Sequence, residues 1–125
     1  MEKRFDSPVA SITLEDNLLF IFKLKNTSAE YDEEEVKKQF DFFYGHAQGK
    51  PYKVLLDTRN SLVLPTDESF TYFFKFNRPE SKTAIIANSL PTSLLMSQML
   101  KLGRVENVKV FKSEERAREW LLSSD

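Results

Sequence analysis

The side chains best placed to do chemistry lie where two apolar runs turn polar, at Lys53-Val-Leu-Leu-Asp57-Thr58-Arg59 and Thr83-Ala-Ile-Ile-Ala-Asn88-Ser89. Each run reads as a buried parallel strand whose carboxyl end emerges at a loop. Open α/β sheets bind ligands just outside those ends. Asp57, Thr58, Arg59, Asn88 and Ser89 are therefore the candidate regulatory or ligand-binding residues, suited to a small apolar or anionic molecule. A plainer role competes, because Asp and Thr routinely serve the turns that end strands. Catalysis has little to stand on. His46 is the only histidine, so a Ser-His-Asp triad or an Asp57–His46 acid–base pair would have to use it, and no motif surrounds it. Its place near a helix end fits a helix-terminus role instead. With no cysteine and glycines only at 45, 49 and 103, there is no thiolate nucleophile, no Cys-based zinc site, no P-loop and no dinucleotide fingerprint. The carboxylates from Asp32 to Glu35 lack EF-hand spacing. The expectation is no enzyme, no metal and no cofactor.

A second candidate is apolar. Phe70-Thr-Tyr72-Phe73-Phe-Lys-Phe76 puts five aromatics in seven residues, more than one helix face can bury. Phe70, Phe73 and Phe74 read as core, with Tyr72 and Phe76 at its margin. Phe70, Tyr72, Phe73 and Phe76 are accordingly the interface candidates, for a homodimer or another protein partner, or else the lining of an apolar pocket. Phe42, Tyr44, Met96 and Met99 could extend that patch.

These residues need elements to hold them. Val9–Leu14 and Leu18–Leu24, separated by Glu15-Asp16-Asn17, predict an antiparallel hairpin. Asp32 predicts an N-cap, with Glu35 completing an approximate capping box, for a helix that buries Val36, Phe40, Phe43 and Ala47 and ends between Gly45 and Gly49. Thr66 begins a helix through about Phe76. Ser89 or Thr92 begins another, with Pro91 in its first turn, Leu95, Met99 and Leu102 inward and Gly103 at its end. Val108–Phe111 is the last strand. Ser113 then caps a closing helix that buries Ala117, Trp120 and Leu121. The predicted order is ββαβαβαβα, a mixed and mostly parallel sheet of about five strands with about four helices, whose crossovers cover both faces.

The length, 125 residues, fits one domain spanning 1–125, and 41% hydrophobic against 30% charged residues is an ordinary globular balance. Net charge is −1, with ten Lys/Arg against thirteen Asp/Glu in residues 1–77 and eight against six in 78–125. Neither half has the basic excess of a duplex binder, and Lys101, Arg104, Lys109 and Lys112 read as a solvated face. Nucleic acid is not expected as a partner. No apolar run is long enough to span a bilayer or form a signal peptide, so a soluble, cytoplasmic protein is expected.

Taken together, the hairpin start, the strand ending Leu56-Asp57-Thr58-Arg59 and the tail Val110-Phe111-Lys-Ser-Glu-Glu-Arg-Ala-Arg-Glu-Trp120-Leu121 resemble bacterial STAS-like domains, related in fold to anti-sigma-factor antagonists. The resemblance covers nearly the whole chain. It implies a sheet flanked by helices, no catalysis, and regulation through protein contacts or a small ligand. In anti-sigma-factor antagonists a phosphorylatable Ser or Thr follows an Asp at a strand end, in an Asp-Ser-Ser-Gly setting. Asp57-Thr58 matches two of those positions, whereas Arg59-Asn60 replaces Ser-Gly and the connection Ser61–Pro65 is longer. Thr58→Glu should leave the fold intact and matter only if that rim is a regulatory surface. Trp120→Ala should cost about 3–5 kcal/mol if the indole is buried.

Overall fold

In a computed structural model, which describes residues 3–26, 32–60, 75–87 and 89–123, the chain forms one six-stranded mixed sheet with its strands in sequence order. The strands are β1 (Arg4–Asp6), β2 (Ala10–Glu15), β3 (Leu19–Leu24), β4 (Lys53–Asp57), β5 (Lys82–Ile86) and β6 (Val108–Phe111). Three helices accompany them among the described residues: α1 (Glu33–Ala47), α2 (Leu90–Leu102) and α3 (Glu114–Leu122). β1, β2 and β3 pair antiparallel, and β3 to β6 pair parallel. The predicted helix from Thr66 to Phe76, with Phe70, Tyr72, Phe73 and Phe74, lies outside the described residues except at its last two positions, and so does Asn88.

The predicted hairpin is present. A 3-10 turn at Asp16–Leu18 joins β2 to β3, with Asn17 and Leu18 at φ 62° and 53°. The strand count is corrected from five to six, because Arg4–Asp6 adds an edge to β2. Among the described residues the predicted caps form, Asp32 and Ser113 as expected and Ser89 of the two alternatives Ser89 and Thr92, accepting from the backbone N–H of Glu35, Arg116 and Thr92. The predicted capping box is only half made: the Glu35 N–H donates to Asp32, but the Glu35 carboxylate accepts instead from the Ser7 hydroxyl at 3.1 Å and the Gln39 amide at 2.6 Å, tying α1 to the loop before β2.

Side chains alternate across the strands, which sorts the core into two layers. On one face Phe20, Phe22 and Val54 pack against Val36, Phe40, Phe43 and Ala47 of α1, while Ile85 and Val108 pack against Met96 and Leu100 of α2. Leu56 touches both clusters and joins them. On the other face Leu19, Leu55, Ala84 and Ile86 meet Ala117 and Leu121 of α3. On that face β2 presents only polar side chains, Ser11, Thr13 and Glu15, the last two exposed, as expected of an antiparallel edge with one wet face.

Two predicted burials are corrected. The inward stripe of α2 is Thr92, Met96 and Leu100, whereas Leu95 and Leu102 are 38% and 78% exposed. Both stripes have helical spacing; Met96 and Leu100 are the ones that pack on Ile85 and Val108, with Met99 packed at their margin as predicted. Trp120 is half-buried, not core. Its ring rests 5.7 Å from that of Phe111 at the flank of α3.

Candidate functional site

The end of β4 is built by pairing to β5. Thr58 extends the ladder by one residue, its N–H donating to the Ile86 carbonyl at 3.0 Å. The Thr58 hydroxyl donates to the same carbonyl at 2.7 Å, and the residue is only 4% exposed. The hydroxyl thus serves the sheet. That overturns the expectation for Thr58→Glu, since a carboxylate there would be buried against a carbonyl oxygen.

Asp57 shares its sheet face with Leu55 and so projects toward α3. The chain doubles back immediately, and Arg59 grips the carboxylate with two side-chain bonds, Nε to Oδ1 at 3.0 Å and Nη2 to Oδ2 at 2.9 Å. The Arg59 backbone N–H adds a third at 3.0 Å. The hydrogen bonds from Arg59 hold the Asp57 carboxyl below the usual carboxylate range against the opposing pull of burial, and Lys23, its register partner on β3, adds to the effect. Asp57 in turn raises Arg59 further. Arg59 also reaches Glu114 at 3.2 Å, and Arg118 joins Glu114 at 2.9 Å to Glu15 at 3.6 Å. A charge chain Asp57–Arg59–Glu114–Arg118–Glu15 therefore fastens the end of β4 and the end of β2 to α3.

Of this chain, the sequence reading finds Asp57 and Arg59 but not their partners. Only the Glu114–Arg118 pair has a local signal, its i,i+4 spacing. Ser89 is exposed at the start of α2, with its hydroxyl engaged by Thr92. The Asp57–His46 pairing is not made. His46 packs on the α1 side of the sheet, its ring 4.7 Å from Phe42 and 6.3 Å from Phe20, while Asp57 faces α3. Phe76 is half-buried, stacked 5.8 Å from Phe40, and its carbonyl accepts from the Tyr44 hydroxyl. Among the described residues no three His, Asp or Glu side chains converge as metal ligands. Nor is any helix among them long and apolar enough to cross a membrane.

No protein-family model matches the sequence, and no curated protein matches it. Among solved structures the chain is similar to an uncharacterised protein of the DUF3478 family from Shewanella loihica PV-4, described as having a SpoIIAA-like fold. The TM-score is 0.65 at 18% identity, over 94% of this chain and 98% of that one. With strand order, crossovers and helix placement in hand, this likeness shows an α/β SpoIIAA-like, STAS-like fold.

Proposed function

We propose that the chain is a non-catalytic STAS-like interaction module, acting as a single domain and pairing with a second copy of itself. The observation that carries this reading is the outward face of α2. Leu90, Leu94, Leu95 and Leu102 are 56%, 61%, 38% and 78% exposed on a helix whose opposite side is core. Single exposed leucines are ordinary, but four on one helix are the kind of apolar patch that marks an interface. α2 carries no carboxylate, and an antiparallel twofold contact would set Leu90 of each protomer against Leu102 of the other, as an isologous interface requires. The aromatic run with Phe70, Tyr72, Phe73 and Phe76 belongs to the same proposal. Ligand binding at the carboxyl ends of the strands ranks second, since both Asp57 oxygens and the Thr58 hydroxyl are already engaged.

Size exclusion with light scattering tests it. The wild type should have the mass of a dimer, and Leu94→Glu/Leu102→Glu that of a monomer with unchanged circular dichroism. A wild-type monomer at high micromolar concentration would rule out the pairing.

A further inference from the structure

The face of the sheet opposite α2 carries a different kind of surface. Lys53 and Lys82 are register partners on adjacent parallel strands, so their side chains leave the same face from backbones about 4.8 Å apart. Lys109 pairs with Ala84 and projects from that face one strand over. Trp120 sits among them, with Lys82 Nζ at 5.0 Å and Lys109 Nζ at 5.4 Å from its ring centre. Arg116, four residues earlier on α3 and hence on the same side of the helix, is exposed. Among the described residues no carboxylate forms an ion pair with any of these four cations. Glu115 and Glu119, the nearest acids along α3, are exposed and make no such pair with them.

The groups in this patch differ in what holds them. The Lys82 ammonium donates to the Trp120 and Ser123 carbonyls at 3.2 Å each and to the Ser123 hydroxyl at 3.1 Å. It caps the carbonyl end of α3, where a cation is favoured, and it is fixed in place. Among the described residues Lys53, Lys109 and Arg116 have no such compensation. They raise the local potential around a half-buried indole, and the indole offers apolar area at little entropic cost. A tryptophan with Lys82 and Lys109 over its ring, and Lys53 and Arg116 on the same face of the sheet and helix, has the composition of a binding hot spot for a segment that brings both carboxylates and apolar side chains.

We propose that this surface, Trp120 with Lys53, Lys82, Lys109 and Arg116, docks an acidic, leucine-bearing segment of a partner protein. Protein is favoured over nucleic acid by the charge distribution. The chain as a whole is at −1, so it lacks the strong basic excess that draws a polyphosphate. The patch and α2 lie on opposite faces of the sheet, so a module paired through α2 keeps this surface free for its partner.

Trp120 is the only tryptophan, so its emission reports this site alone. A short synthetic peptide of Glu, Asp and Leu carrying a fluorescent label should shift that emission saturably and raise the label's anisotropy in parallel. The affinity should fall with added salt. Lys53→Gln/Lys109→Gln should bind about tenfold more weakly with unchanged thermal stability, because neither side chain makes a hydrogen bond among the described residues. Lys82 is left in place because it holds the end of α3. Leu94→Glu/Leu102→Glu should bind the peptide like the wild type, which separates this proposal from the pairing through α2. Equal affinity in the lysine variant, an absence of binding at millimolar peptide, or tighter binding of a single-stranded oligothymidylate than of the acidic peptide would each overturn it.

Discussion

Thr58→Glu is the substitution on which the switch and strand-end readings of β4 part most sharply. Thr58 is 4% exposed and its hydroxyl bonds the Ile86 carbonyl at 2.7 Å. Replacing that donor by a carboxylate loses a hydrogen bond worth about 1 kcal/mol and leaves a carbonyl oxygen facing two more acceptors. The new charge is desolvated and lies one residue from Asp57. The natural counter-ion, Arg59, is already committed to Asp57 through both Nε and Nη2. An uncompensated buried charge of this kind costs about 3–5 kcal/mol. Against a slope of about 2 kcal/mol per molar urea, typical of small domains, the unfolding midpoint should drop by about 2 M. The carboxyl would resist ionisation, so its folded pKa lies above the unfolded value near 4.3, and the loss grows as pH rises above that value. Thr58→Val, which keeps the shape and the backbone bond, should cost only about 1 kcal/mol. A Thr58→Glu protein within about 1 kcal/mol of wild type at neutral pH would refute the burial reasoning and reopen Thr58 as a phosphorylation site.

Two further perturbations test what fastens α3. Arg59→Gln removes the main cause of the depressed Asp57 pKa, and because Arg59 is 46% exposed the screened loss should be about 1 kcal/mol at neutral pH. The sign follows from the depression: the stabilisation is full above the unfolded carboxyl value near 3.9 and disappears as pH falls through the lower folded value, so urea curves of wild type and variant should converge below about pH 4. A gap that persists at pH 2 would mean Arg59 acts by packing. Leu121→Ala, at 0% exposure, should cost about 2–5 kcal/mol, and the half-buried Trp120→Ala only about 2 kcal/mol. A larger loss at Trp120 than at Leu121, measured by the same titration, would place the indole in the core after all.

The elements legible in the sequence are those with local causes. Asp32, Ser89 and Ser113 announce their helices because a cap needs only a short polar side chain and the N–H three residues on. The hairpin shows itself through two β-rich runs and a polar turn, and β4 and β5 through short apolar runs. β1 is missed because three residues, Arg4-Phe5-Asp6, carry no period, and their pairing to β2 is decided by the register of Ser11 to Thr13. The candidate site is half legible for the same reason. Asp57 and Arg59 are two residues apart and visible together, but the burial of Thr58 depends on Ile86, 28 residues away, and the Arg59 bridge on Glu114, 55 residues away.

The phase of α2 is a different kind of failure, and it bears on function. A helix whose only apolar residues face the core leaves periodicity no choice. Here Thr92-Met96-Leu100 and Leu95-Met99-Leu102 both satisfy helical spacing, so periodicity admits two inward faces and packing on Ile85 and Val108 selects one. The ambiguity exists because the outward face of α2 is more apolar than a lone domain needs. Folding does not account for Leu90, Leu94, Leu95 and Leu102, which are exposed, and two of these four leucines, Leu95 and Leu102, are the ones that mislead the reading of this helix and also carry the proposal of a second copy on its surface.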